Sequence, residues 1–277
     1  MVLAGVQAQL GRASTAALVA LPAVAIPVVY LIYLNGRIRS TTTSRAGRRN
    51  HHQQQQQQLK GSATSETRAP ADPKSLPDDV RSDNGSRWVV SYERVVSKPV
   101  LASSLSHPVA ATDPAAGQPS TLLKTYLRAT HVAFSWTPQA LLIRAMIKEP
   151  HVKRSFDTDW INALSFAPGD LVNGVYRASH HSKTAGSVSE RSELLIEVPA
   201  SYKGPAVRGL LVAAIEPASS TNTDEVVFVN ETWMWRGVDE PPTLLESPFG
   251  KWFHGKLAGW LILKGLGAVA GRKEKAS

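Results

Sequence analysis

The chain has 277 residues, 43% hydrophobic and 19% charged, a net charge of +9 and no cysteine. The missing cysteine excludes disulfides, thiolate metal sites and a cysteine nucleophile. From Thr121 onward there are 18 basic and 15 acidic residues, a balance of +3, so +6 sits in the first 120 residues. That excess lies in low-complexity sequence and not on a folded surface, which argues against nucleic-acid binding.

In chain order, a short tail (residues 1–15) leads to a charge-free stretch. Ala16–Leu34 is almost wholly apolar, and about 20 such residues cross a bilayer core as one helix. This predicts a single transmembrane anchor over residues 16–35. A cleaved signal peptide competes, but its apolar core is usually only about 7–15 residues. Pro22 and Pro27 are tolerable in a membrane helix, and Tyr30 and Tyr33 suit the headgroup level. Arg37, Arg39, Arg45, Arg48 and Arg49 follow the span, against Arg12 before it. The positive-inside rule then puts the C-terminal side in the cytosol. This is a layout similar to that of microsomal cytochrome monooxygenases, and it implies the endoplasmic reticulum. The sequons Asn84-Gly-Ser and Asn230-Glu-Thr argue for the opposite side.

Residues 36–87 are polar and include His51-His52 and the run Gln53–Gln58. Such a segment buries too little apolar surface to offset its ordering entropy and reads as a disordered linker. Within residues 88–120, Trp88–Val96 is rich in β-branched and aromatic residues and reads as a strand docking on the edge of the main domain. Ser97–Ser120, with four prolines, reads as loose.

The main domain is expected over residues 121–277. Thr137-Pro138 is a helix N-cap followed by proline at the first position, with Leu141, Leu142, Ala145 and Met146 as an apolar stripe. Phe156–Phe166, Asp170–His180, Arg191–Val198, Arg208–Glu216 and Glu225–Arg236 then read as five strands. Their short separators imply an antiparallel sheet. Trp252, Phe253, Leu257, Trp260 and Leu261, interleaved with Lys251, Lys256 and Lys264, mark a long C-terminal helix. Its aromatic, lysine-bearing stretch reads either as core or as a membrane-surface helix.

The expected fold is therefore α+β: a curved antiparallel sheet of about six strands packed on a long C-terminal helix. This order resembles the START-like, or helix-grip, ligand-binding fold of polyketide aromatases and cyclases, plant pathogenesis-related proteins and lipid carriers. The likeness covers Trp88 and Leu122–Ala270. It departs in showing one early helix where the family usually has two. What it implies is an apolar cavity between sheet and helix. A hot-dog thioesterase and a cone of the scytalone-dehydratase type are the competing architectures.

The densest candidate site is Val226–Arg236. Alternation sends Val227, Val229, Glu231, Trp233 and Trp235 to one face, and Phe228, Asn230, Thr232, Met234 and Arg236 to the other. On a cavity wall, Glu231 would have a raised pKa and act as a proton-transfer group. Alternatively it pairs with an arginine across the sheet while the tryptophans pack. Asp157 and Asp159 would share a strand face and could share a proton or a cation, or simply face solvent. Trp233, Trp235, Asn230, Arg236, Tyr176 and His131 are candidate ligand-binding residues. His180-His181 reads as exposed, and His254 as near a cavity mouth or on an exposed helix face.

No Gly-x-Ser-x-Gly elbow, phosphate-cradling loop, dinucleotide fingerprint or His-Glu-x-x-His is present. No cofactor and no metal are expected. The reading is a membrane-anchored, cofactor-independent protein acting on an apolar small molecule, of cyclase, isomerase or dehydratase type. The polyglutamine tract suggests a eukaryote, such as a filamentous fungus with polyketide or terpenoid pathways. A lipid or sterol carrier tethered to the endoplasmic reticulum, a thioesterase-like protein and a structural assembly factor are the alternatives.

Overall fold

A computed structural model describes residues 32–49, 70–109, 117–184, 187–204, 207–219 and 224–271. The chain divides into two units, Met1–Ser40 and Thr41–Ser277. Of the expected span, only residues 32–34 are described, at the start of helix α1 (residues 32–41); the rest of Ala16–Leu34 lies outside the described residues. Among the described residues, no helix is long and apolar enough to cross a membrane.

The second unit is α+β. After β1 (Thr42–Arg48), α2 (Asp78–Arg81), β2 (Trp88–Ser97) and β3 (Val100–Leu101) come four helices: α3 (Thr121–Ser135), α4 (Pro138–Met146), α5 (Pro150–Arg154) and α6 (Thr158–Ala163). Strands β4 (Leu171–Val172), β5 (Tyr176–Lys183), β6 (Glu190–Ile196), β7 (Gly209–Pro217) and β8 (Glu225–Gly237) precede the long helix α7 (Pro248–Val269). The strands make one antiparallel sheet in the order β1-β2-β8-β7-β6-β5-β4, with β3 also on β8.

Helix ends follow local chemistry. Thr137 caps α4 by accepting from Ala140 N, with Pro138 in the first turn; Ser247 caps α7 by accepting from Gly250 N, again followed by proline. At α3, Ser120 accepts from Leu123 N. Glu190 of β6 in turn accepts from Ser120 N and Oγ, both at 2.5 Å, which ties the start of α3 to the sheet. Burial opposes ionisation of Glu190, but the bonds from His181 and Ser120 outweigh it and hold its pKa below the usual carboxylate value.

The structure corrects several expectations. Phe156–Phe166 is not a strand: Asp157 stands at the N-cap of α6, Asp159 falls in its first turn, and Ile161 is its buried residue. Asp170–His180 is not one strand but the β4–β5 hairpin, turned by Asn173 and Gly174, both at positive φ. Leu122–Phe134 is helical, so several helices stand where one was expected. Trp88–Val96 lies inside the sheet, between β1 and β8, and not at its edge.

Two parts of the expected linker are ordered. Thr42–Arg48 is the edge strand, with Gly47 leaving room for the Tyr92 ring. Residues 70–82 form a strap in which Arg81 donates to Lys74 O and Leu76 O, and Arg49 to Val80 O and Arg81 O. Gln53–Gln58 and His51-His52 lie outside the described residues.

Both sheet faces are buried. The inner face packs on α3 and α7, with Val95, Ala213, Ile215, Val226 and Phe228 meeting Leu123, Tyr126, Leu127, Ala258 and Ile262. The two helices meet closely at Gly265, where a Cβ would come within 2.2 Å of the Tyr126 ring. On the outer face Val90, Tyr92, Val229, Trp233 and Trp235 pack with Leu76 and Val80 of the strap. The first two turns of α7 leave Phe249, Trp252 and Phe253 exposed.

Candidate functional site

A cavity of about 70 Å³ lies between the inner face and the α3–α7 pair. Its sheet wall is Tyr176, Leu194, Leu211–Ala213 and Asn230–Thr232, with the side chains of Val212 and Glu231 turned to the outer face; its helical wall includes Leu127, Thr130, His131, Phe134, His254, Leu257 and Leu261, with Gln139 of α4. The lining is mostly apolar, and one ordered water needs only about 10–15 Å³. There is room for several waters or one compact organic molecule of a few heavy atoms.

Alternation along β8 places Asn230 and Thr232 on this wall. Asn230 Oδ1 accepts from Tyr126 Oη at 3.0 Å, so its Nδ2 is the group left to donate. His131, on α3, is set by the β4–β5 turn. Asn173 donates from Nδ2 to Ser135 Oγ at 2.7 Å, which makes its Oδ1 the acceptor for His131 Nδ1–H, also at 2.7 Å. His131 Nε2 is therefore the acceptor nitrogen. Burial lowers the His131 pKa to about 4 despite the Asn173 bond, so the ring is neutral near pH 7. Its ring lies 5.7 Å from Phe166 and 6.0 Å from Tyr176. Burial, with a smaller contribution from Tyr202, pushes the Tyr176 phenol upward, so it remains a protonated donor.

A second polar pair borders the cavity from the α7 side. His254 Nδ1–H donates to Glu93 Oε2, and Glu93 Oε1 accepts from Ser44 Oγ at 3.3 Å. His254 Nε2 lies 3.5 Å from Thr232 Oγ1. Glu93 is 2% exposed. Gly255 lets α7 come this close: a Cβ there would sit 2.7 Å from Glu93 Oε1.

The other candidates lie elsewhere. The Glu231 carboxylate points to the outer face, where it accepts from Arg94, from Arg191 Nη2 at 3.0 Å and from Trp233 Nε1 at 3.0 Å. It is an ion-pair residue, not a cavity acid. Arg94 also donates to Glu216 at 2.7 Å; burial opposes its charge, but Glu231 and Glu216 outweigh that and raise its pKa. Arg191 also donates to Glu193, whose carboxylate takes the strap amides of Lys74 and Ser75. Trp233 packs on Tyr92 with ring centres 5.2 Å apart, and Trp235 is buried on that same outer face.

Arg236 forms a two-toothed pair with Glu246, at 2.7 and 3.0 Å, ahead of α7. Asp157 pairs with Arg144 at 3.0 Å, and Asp159 is exposed on α6, so the two do not form a carboxylate pair. His181 lies in β5 against Glu190 at 2.9 Å and is not exposed. Of the nine candidates, the structure brings His131, Tyr176 and Asn230 together; Glu231 borders the cavity along β8 with its carboxylate turned to the outer face, and the other five lie outside.

Three residues of the site were not foreseen as such. Asn173 could have been found from its Asn-Gly pair, a strong hairpin signal. Glu93 is the one carboxylate in β2, and strand alternation sends it to the face opposite its charged neighbour Arg94. Thr232 follows from placing Asn230. Among the described residues, no group of three His, Asp or Glu side chains is placed to hold a metal ion. Compared with family models, curated proteins and solved structures, the chain matches none.

Proposed function

We propose that the C-terminal domain takes one compact, largely apolar molecule into the cavity beneath α7 and acts on it without a cofactor, as a biosynthetic enzyme of isomerase, cyclase or dehydratase type. The observation that carries this reading is a hollow with apolar walls and inward polar groups on three separate elements: His131, Asn230 and His254. Ligand sites combine these two features, a greasy enclosure for affinity and a few placed polar groups for orientation. A sheet gripping a terminal helix also resembles the helix-grip layout, and that analogy bears on architecture only.

The cavity's dimensions favour an enzyme over a lipid or sterol carrier. The stretch of α7 that borders it runs from His254 to Leu261, about two turns or roughly 10 Å. A sterol or an acyl chain needs a longer trough. The chain acts from a membrane, held by Ala16–Leu34 with the arginine-rich side in the cytosol, and the endoplasmic reticulum is the membrane that layout suits.

The test is native mass spectrometry of the full chain released from lipid nanodiscs. The expected result is a co-purifying small molecule, lost in Ala213→Phe, which fills the hollow from its sheet wall. An empty wild-type protein, or one carrying only phospholipid in both forms, would contradict the reading.

A further inference from the structure

We propose that Glu93, His254 and Asn230 form a proton-transfer site for a compact apolar ketone, one with an ionisable C–H beside its carbonyl. The inference rests on the cavity being a ligand site and specifies the chemistry done there.

Glu93 is a buried carboxylate, and the partners it has from β1 and α7 are Ser44 and His254. Because a carboxylate accepts, the bond fixes the proton on His254 Nδ1 and presents Nε2 as the lone pair. The direction of Nε2 is marked by the Thr232 hydroxyl, 3.5 Å away on the cavity wall. That separation is at the limit of a hydrogen bond, so Nε2 is pointed at the cavity without being fully engaged. Proton-transfer contacts are often long in an empty site and shorten on the substrate.

The complementary group stands two residues away on the same strand face. Asn230 and Thr232 are separated by roughly 7 Å along β8. Tyr126 holds the Asn230 carbonyl, which leaves Nδ2–H to donate to a ligand oxygen. One carbonyl and its α-carbon, with hydrogen-bond contacts of about 3 Å at each end, match in length the roughly 7 Å spacing of Asn230 and Thr232 along β8. The surrounding walls of Leu211, Leu257 and Leu261 are apolar and suit the rest of such a molecule.

The step balances within these groups. His254 Nε2 takes the α-proton, the C–H electron pair becomes a carbon–carbon double bond, and the carbonyl π pair moves to oxygen, where Asn230 Nδ2–H stabilises the enolate. The imidazolium, stabilised by Glu93, returns a proton to the same or a conjugated carbon. Exchange or isomerisation results, with no co-reactant. His254 is the catalytic residue; Glu93 is a positioning residue acting through it.

The test is α-deuterium exchange of acetone, a ketone small enough for a hollow of about 70 Å³, in D2O with the full chain in detergent micelles, alongside saturation-transfer NMR to follow binding of the same probe. The expected result is binding, with exchange above background that falls about 100-fold or more in His254→Gln while binding persists. Glu93→Gln should lose about tenfold or more and also lose the low-field Nδ1 proton resonance of His254, a signature that a merely structural role would not move. Binding with equal exchange in wild type and His254→Gln would overturn the proton-transfer proposal and leave the ligand-binding reading standing. Absence of any saturation transfer to acetone would overturn it for this ligand class.

Discussion

The two faces of the sheet are built from the same strands and put polar residues to opposite uses. On the outer face Arg94, Glu231, Arg191 and Glu193 close into a network, completed by the strap amides of Lys74 and Ser75. On the inner face His131, Asn230 and His254 are each fixed on one side by Asn173, Tyr126 or Glu93, while all three border the cavity. A polar group committed on every side supports structure. One fixed on a single side and turned toward a hollow is prepared for a ligand. Residue type alone does not separate the two cases: Glu231 and Asn230 are neighbours in β8 and fall on opposite sides of the distinction.

The sharpest way to break this comparison is to cut the outer network. Glu231→Leu leaves Arg94, Arg191 and the Trp233 indole each short of a partner in a buried setting. Removing one member of a buried pair costs about 3–5 kcal/mol, so the denaturant midpoint should fall sharply at an unchanged slope. Adding Arg94→Met should recover much of the loss, because a buried pair is often replaceable by apolar groups. If Glu231→Leu were as stable as wild type and inactive, the outer face would be the functional one.

A smaller effect should mark the inner face. His131 has a folded pKa of about 4 against about 6.5 when unfolded. Between those values the unfolded chain binds the extra proton, so this group's contribution is full above pH 6.5 and is lost as pH falls toward 4. The shift corresponds to roughly 3 kcal/mol. Denaturant unfolding from pH 7 to 4 should show that decline, and His131→Gln should flatten it. Glu246 and Glu240, both held near a pKa of about 2 chiefly by bonds from Arg236 and Arg208, act in a separate window, losing their contribution between about pH 4.5 and 2. A steep decline confined below pH 4.5 would count against a buried neutral His131.

Much of this fold could be read from the sequence where packing imposes a pattern. β6, β7 and β8 carry apolar runs between turn residues, and α4 and α7 begin with a hydroxyl cap and proline. β1 could not be read because Thr42–Arg48 has only one alanine among polar and small residues. Its order comes from backbone pairing with β2 and not from burial of its side chains. α6 was misread because Phe156, Trp160, Ile161 and Phe166 look strand-like, although Asp157 and Asp159 carry the signal of a helix start.

The division of β8 into two faces was correct, but not which face meets the cavity. The strap covers the outer face so well that Trp233 and Trp235 are as buried as Phe228, and apolarity could not choose between them. Glu93 and His254, 161 residues apart, meet only once β2 is inside the sheet and α7 lies across it.

The account stands on the inner hollow being where a small molecule sits. The most direct measurement is intermolecular NOE spectroscopy between acetone and the methyl-labelled protein. The account predicts contacts to the methyls of Leu211, Ala213, Leu257 and Leu261, and none to Val227 or Val229. Contacts to that second set, with the first silent, would contradict it.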